Sequence, residues 1–465
     1  MCIEHPGIIV RHHDFENFPH GTTPHTTAPL DYLIVALAVA LKPFTAHGID
    51  LAGAAVSPFL ALIGGWFLWW WSRQMNFRYR WPMLILYAIS PVLVHGTKLG
   101  RPDHQSLVVL LLAVAICAEW ALQFEQSIRW SIVSGAAWSL ALWVSLYEPL
   151  ILFGLVAGCA MLQHREFFRA SHRQSSWILF VVILSIAFLL EQRLPELRPF
   201  YSGQTFRNWS RTVGELVSVS PLRPIWFQWA SWLLVPAPVL IWFAFRRESP
   251  PPIFVGVLLV ATYVLTIWQA RWAYFFVSIF ALALPTLLEL LKSRILVWSI
   301  FIVSLFPILH DWDARLWPNE SEYVRRIEQR NESVRLHDIA LNLQSSDRHP
   351  FLAQWWLSPA IAYWSGQPGV AGSSHESLPG IEDSARFFAA HDWATARKIL
   401  ENREVDWVIV YDSKRAAENS AEILGLATPQ HPVCLVLDRT AANAPRFLVL
   451  SAQNGVMKLY RVVER

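Results

Sequence analysis

Apolar residues fall in long unbroken runs over the first two thirds of the chain and in short alternating runs over the last third. The long runs cover residues 30–46, 50–71, 81–97, 105–122, 130–145, 149–163, 176–191, 223–245, 252–269, 272–290 and 295–310. Crossing a bilayer core takes about twenty apolar residues in a helix, so residues 29–310 are expected to form a helical transmembrane domain of roughly ten spans. From 311 to 465 the pattern changes to β-like runs at Val405–Tyr411, Val433–Leu437, Phe447–Leu450 and Val456–Val463, with a helical stretch near Ser384–Leu400. That pattern predicts a small external α/β domain. The fold class expected is therefore mainly α: a polytopic membrane domain followed by a soluble α/β domain.

Composition agrees with this division. Charged residues make up only 16% of the chain, where a soluble domain carries about a quarter. Many of the 25 Trp, among them Trp66, Trp69, Trp81, Trp130, Trp177 and Trp226, stand at the ends of apolar runs, as interfacial Trp does. A net charge of +3 carries no nucleic-acid signature. The four Cys form no CxxC pair and no disulfide framework. The first 28 residues are polar and His-rich, unlike a signal peptide, and the spacing of His12, His13, His20 and His25 matches no standard zinc cage.

Basic residues orient the spans. Arg73/Arg78/Arg80, Arg165/Arg169/Arg173, Arg246/Arg247 and Lys292/Arg294 are separated by even numbers of runs, so all can be cytoplasmic together. The other side then receives Lys98–His104, the Tyr147–Glu148 corner, the 191–222 loop and the C-terminal domain. Lys42, Pro43 and His47 cut the first run short, so it is expected to lie on or dip into the surface and leave residues 1–28 external.

Acidic groups beside apolar spans are the candidate chemistry, because hydrocarbon tolerates them poorly. On the external side these are Asp103 in GRPDHQSL, Glu148 in SLYEPL and Glu215 in RTVGEL, with Arg271 in QARWAY. Carboxylates suit a hard divalent cation, and an Arg fork suits phosphate. Each also has a structural reading: Asp103 with Ser106 as a helix cap, Glu148 as a solvated corner, Glu215 as an ordinary loop residue, and Arg271 as a snorkelling side chain.

Taken in order, these pieces resemble the GT-C superfamily of membrane glycosyltransferases, and within it the catalytic subunit of oligosaccharyltransferase. FPHGTTPHTTAPLDY at 18–32 is similar to that family's first external loop, and GRPDHQSL to its second acidic motif. Thr212–Glu215 is similar to its Thr-Ile-x-Glu loop motif, and Arg271 stands where the family keeps an Arg for the donor's phosphates. Trp355-Trp356 resembles the start of its Trp-Trp-Asp-Tyr-Gly segment, with Leu357-Ser358 in place of Asp-Tyr. Gln105 stands where a carboxylate is usual. The family's first metal-binding Asp lies upstream of the first loop, so the chain is expected to be N-terminally short, with Asp14 the Asp available for that role.

The resemblance implies transfer of a sugar from a polyprenyl-phosphate or -pyrophosphate donor to a protein, lipid or glycan acceptor on the non-cytoplasmic face. It implies Asp103 and Glu215 as catalytic residues and Arg271, Glu148, His104, Trp355 and Trp356 as substrate-binding. A divalent cation, Mg or Mn, would be held by Asp103, Glu215 and Asp14. The expected location is a bacterial inner membrane with the C-terminal domain periplasmic. Two rival readings are a catalytically inactive relative that binds lipid or a membrane partner, and a transporter. The missing carboxylates favour the first rival, and the absence of an internal repeat disfavours the second.

Overall fold

The computed structural model describes residues 9–24, 28–163, 170–192 and 203–463. They divide into two compact units: 28–192 with 218–317, and 10–24 with 203–217 and 318–463.

The first unit is helical. Its elements are α1 (Ala28–Leu41), α2 (Gly48–Gln74), α3 (Arg80–Ile89), α4 (Pro91–Thr97), α5 (His104–Phe124), α6 (Ile128–Val144), α7 (Tyr147–Gln163) and α8 (Ser171–Glu191). After α9 (Gln204–Thr212), which belongs to the second unit, come α10 (Ile225–Ala230), α11 (Ala237–Ala244), α12 (Ile253–Trp268), α13 (Ala273–Leu288), α14 (Arg294–Ser304) and α15 (Phe306–Leu316). Several apolar runs break where the backbone requires it. The 81–97 run divides at extended Ser90, before Pro91. The 223–245 run divides at Ser231, whose φ is 71°.

Among the described residues, 48–74, 104–124, 173–191 and 270–288 are each long and apolar enough to cross a membrane, and α14 with α15 forms a further candidate bent by 40°. Burial separates two kinds of helix. α5 and α13 are buried along nearly their whole length, whereas α8 exposes Ile178, Val181, Val182, Ile186, Phe188 and Leu189. An all-round apolar helix with one exposed apolar face is suited to lipid.

The second unit is a mixed four-stranded sheet covered on both faces. Its helices continue as α16 (Glu320–Leu341), α17 (Ser358–Ser365), α18 (Leu378–Ala389), α19 (Trp393–Asn402), α20 (Ser413–Leu424) and α21 (Val433–Arg439). Strands β1 (Phe351–Leu352), β2 (Trp407–Val410), β3 (Leu448–Asn454) and β4 (Met457–Val462) lie in the order β1-β2-β4-β3, with β1 and β2 parallel and the other pairs antiparallel. Alternation sends Val408 and Val410 into a core with α18, α19, α20 and α21, and Ile409 into another with α16 and α17. Residues 10–24 dock on this unit: buried Arg403 donates to Asn17 Oδ1 (3.0 Å) and the Phe18 carbonyl (3.1 Å) and pairs with Asp383.

Three details depart from the sequence pattern. Val433–Leu437 is helical, because Val433, Cys434 and Leu437 share one buried helical face, and a short apolar run does not distinguish strand from helix. The Ser384–Leu400 stretch is two helices, α19 restarting where the Asp392 carboxylate accepts from Thr395 N at 2.7 Å. The α16 helix escapes the apolar pattern because only Leu336, Ile339 and Ala340 of its 22 residues are buried.

Candidate functional site

Three helices of the first unit begin at one place. α5 starts at His104, α7 at Tyr147, and α13 follows a single 3-10 turn at Ala270–Trp272. Each N-terminus is the positive end of a helix dipole. Side chains from the three ends are joined by hydrogen bonds, so the convergence is direct.

Glu148, in the first turn of α7, is fully buried. It forms an ion pair with Arg271, accepts from Ser145 Oγ (2.7 Å) and accepts from Gln105 Nε2 (3.3 Å). It is therefore no solvated corner; the acid is spent holding Arg271 in place. The guanidinium is only partly used in return. The Arg271 side chain keeps 21% of its exposure, and its Nε is buried without a partner, as is Gln105 Oε1. Unpaired polar atoms in a buried setting are costly unless something completes them.

Asp103 caps α5, its Oδ1 accepting from Gln105 N at 2.9 Å, while Ser106 Oγ donates to the Asp103 carbonyl at 2.7 Å. The capping reading is thus correct, and the side chain does more. Oδ2 takes Arg101 Nε (3.1 Å) and a terminal nitrogen of Arg101 (2.9 Å), and Oδ1 lies 3.4 Å from His104 Nδ1. Arg101 continues to the His95 ring (2.8 Å to Nε2), and His95 Nδ1 lies 3.0 Å from the Tyr274 hydroxyl. One polar path thus runs from Tyr274 through His95, Arg101, Asp103, His104, Gln105 and Glu148 to Arg271.

A cavity of about 580 Å³ opens beside it, walled by α2, α3 and α4. Its apolar part is lined by Leu62, Trp66, Trp69, Trp81 and Leu84, and its polar end by Thr97, Gln105, Ser106 and Tyr274. The stretch of α2 from Pro58 to Trp69 alone covers roughly 16 Å of helix.

The other expected site residues lie in the second unit. Asp14 is paired with Arg348, Oδ1 lying 3.3 Å from a terminal guanidinium nitrogen. Glu215 lies in the turn after α9. Trp355 donates to Asn419 Oδ1 at 3.0 Å and packs edge-on against Trp209. Trp356 lies beneath the Arg415 guanidinium, 4.9 Å from its ring centre. Among the described residues no three His, Cys, Asp or Glu side chains gather that could hold a metal ion, and His25 lies outside them. Asp103 has Arg101 and a backbone N–H on its two oxygens.

No family model matches the sequence, and no curated protein is similar to it at a significant level. Solved structures are. The archaeal oligosaccharyltransferase AglB from Archaeoglobus fulgidus, in complex with an inhibitory peptide and a dolichol-phosphate, superimposes with a TM-score of 0.65 at 12% identity, over 92% of this chain and 66% of that one. The same organism's oligosaccharyltransferase tethered to an acceptor peptide containing the NVT sequon gives 0.63 at 13% identity, over 88% and 63%. ArnT from Cupriavidus metallidurans, bound to undecaprenyl phosphate, gives 0.59 at 14% identity, over 94% and 88%. The fold is that of the GT-C glycosyltransferases. The chain spans about two thirds of the length of the archaeal enzyme and most of ArnT.

On this GT-C scaffold the first unit brings together Asp103, His104, Glu148 and Arg271. Sequence reasoning missed Arg101, His95, Tyr274, Ser145 and the part played by Gln105. Arg101 lies inside the GRPDHQSL motif itself. Gln105 counted as a lost carboxylate, yet its amide joins α5 to Glu148 in a way a carboxylate could not, because only the amide can donate.

Proposed function

We propose that the protein is a membrane glycosyltransferase that takes a sugar from a polyprenyl-phosphate or -pyrophosphate donor. The observation that carries this reading is the meeting of three helix N-termini and the Glu148-held Arg271 beside a long apolar cavity. Helix N-termini and an Arg fork attract phosphate, and a Trp-lined apolar slot accepts a prenyl chain. AglB in complex with a dolichol-phosphate and ArnT bound to undecaprenyl phosphate carry lipids of this chemistry on the same fold.

In transfer, an acceptor hydroxyl or amide attacks the anomeric carbon and the bond to the phosphate oxygen breaks. Arg271 and the helix ends would hold the charge that develops on the leaving phosphate, and their fixed orientation requires no reorganisation at that moment. We assign Asp103 of the first unit and Glu215 of the second to catalysis, each as a carboxylate suited to orienting a nucleophile. A divalent cation would add neutralisation of the phosphate, but no step is assigned to it, since Asp103 is engaged by Arg101.

The chain's two-unit division supports an external placement of the C-terminal domain. Residues 10–24, 203–217 and 318–463 fold together, so the chain between them crosses the bilayer an even number of times. α1, an apolar helix of 14 residues followed by Lys42, Pro43 and His47, is read as lying in the interface. That leaves α2, α3–α4, α5, α6, α7 and α8, then α10–α11, α12, α13 and α14–α15: ten crossings, six and four. On this reading Arg73/Arg78/Arg80, Arg246/Arg247 and Lys292/Arg294 would share one side, the cytoplasmic one, and the Arg271 cluster the other, which agrees with the positive-inside rule. Arg165 and Arg169 lie outside the described residues, and Arg173 is buried.

The test compares envelope glycans of a deletion strain with strains carrying wild type or Asp103→Ala, together with undecaprenyl-phosphate binding by the purified protein. Loss of a glycan restored only by wild type is expected. Lipid binding with no glycan change would instead assign the chain to the inactive, lipid-binding relatives.

A further inference from the structure

The loop that carries Asp103 rests on α2, and the sequence of α2 explains why it rests there. Pro58 stands inside that helix. Proline has no N–H, so the Ala54 carbonyl, four residues earlier, loses the donor that an ordinary residue at 58 would give it. The Gly100 N–H takes that oxygen at 3.0 Å. Gly100 does so with a φ of 80°, a conformation that glycine adopts at no steric cost. It stands in for the missing helical donor.

The residue beside the proline binds the rest of the loop. Ser57 is fully buried. Its hydroxyl donates to the Arg101 carbonyl at 2.6 Å and accepts from Asp103 N at 3.4 Å. Ser106 Oγ, which donates to the Asp103 carbonyl, lies 3.1 Å from the same hydroxyl. One turn back along α2, a Cβ at Gly53 would lie 4.0 Å from the Pro102 ring. Residues 100–103 therefore each meet α2 on one helix face, at positions 53, 54 and 57.

The helix cap does not need these bonds. Asp103 caps α5 through Gln105 N, which fixes the carboxylate relative to α5 alone. The bonds to Ala54 and Ser57 fix the loop relative to α2, which walls the cavity. We propose that Ser57 and Pro58 are positioning residues. The carbonyl that Pro58 leaves open and the Ser57 hydroxyl pin the 100–103 loop, and so set where the Asp103 carboxylate stands beside the cavity. The pinning stands on these bonds; its effect on transfer rests on the glycosyl-transfer reading.

Pro58→Ala separates this role from a structural one. Alanine at 58 restores an N–H to the Ala54 carbonyl, so the helix should gain while the loop loses its anchor. The unfolding midpoint of the full chain in nanodiscs should hold or rise. Hydrogen–deuterium exchange of peptides covering 98–104, read by mass spectrometry, should quicken about tenfold. Transfer, followed as recovery of the envelope glycan after induction in the deletion strain, should slow about tenfold. Ser57→Ala, the second variant should Pro58→Ala fail to insert, should also quicken exchange and slow transfer, with undecaprenyl-phosphate affinity within about twofold of wild type. Unchanged exchange in both variants would overturn the pinning. Quicker exchange with transfer at the wild-type rate would overturn the positioning role. So would midpoints that fall in step with transfer in both variants, since loss of fold would then account for the loss of activity. A gene deletion that alters no glycan would bring down the transfer reading, and with it the effect on transfer, while the exchange rates still decide the pinning.

Discussion

Among the described residues, the helical unit holds two Arg–Glu pairs with a buried acid, and they differ in what is left over. Arg173 reaches Glu119 with two parallel bonds of 3.1 and 2.9 Å, Ser134 donates to the same carboxylate at 2.5 Å, and both side chains are about 5% exposed. The Arg271–Glu148 pair has an equally buried acid but an Arg with 21% exposure and an orphan Nε, next to an orphan Gln105 oxygen and a cavity. A closed pair holds α5 and α8 together. An open pair of the same residue types holds a guanidinium ready for a ligand. A buried acid is common to both pairs; what sets the second apart is an Arg that stays partly exposed, at one end of a polar path beside a cavity.

The largest effect on stability should come from the closed pair. Glu119→Ala removes the acid paired with buried Arg173, a loss of about 3–5 kcal/mol. It should appear as a lower unfolding midpoint in detergent, with lipid affinity per folded molecule unchanged. Replacing both partners, Glu119→Leu with Arg173→Met, should recover most of the loss, because two apolar side chains leave no charge stranded.

The open pair should respond in the opposite currency. Arg271→Lys keeps a cation beside Glu148 but loses the planar fork, and should weaken undecaprenyl-phosphate binding about 10- to 100-fold, or roughly 1.4–2.8 kcal/mol, with little change in the midpoint. An unfolding shift as large as that of Glu119→Ala, with lipid affinity intact, would make the two pairs equivalent and remove the distinction.

Asp103 divides along the same line. Asn caps a helix as well as Asp, whereas Ala costs about 1 kcal/mol at that position. Asp103→Asn should therefore keep the midpoint of wild type and lose glycan transfer, while Asp103→Ala should lose both. Transfer by Asp103→Asn at the wild-type rate would reduce Asp103 to its cap.

Much of this was readable from the chain, for a physical reason. Lipid demands long apolar runs, and every helix of the first unit beyond α1 sits inside or around one of them. The order of GRPDHQSL, TVGE and QARWAY also reported the GT-C resemblance before any coordinates. What stayed hidden depends on contacts between distant positions. Glu148 is buried because Ser145, Gln105 and Arg271 meet it from three helix starts, and residues 10–24 join the second unit through Arg403, nearly four hundred positions away. Neither has a local signature.

The smallest effect contrasts two adjacent glycines of α2 on the cavity wall. A Cβ at Gly64 would overlap the Tyr87 hydroxyl, which hydrogen-bonds the Ala61 carbonyl at 3.3 Å, so a side chain there displaces packed structure. A Cβ at Gly65 meets the Tyr87 ring at an ordinary 3.7 Å and lines the cavity. Gly65→Leu should therefore fold normally and fill space that a prenyl chain would use. Affinity for undecaprenyl phosphate should fall about fivefold, close to 1 kcal/mol, while a short-chain prenyl phosphate that reaches only the polar end should bind as before. Equal losses for both lipids would mean that the substitution disturbs the phosphate end, and no loss for either would place the prenyl chain outside this cavity.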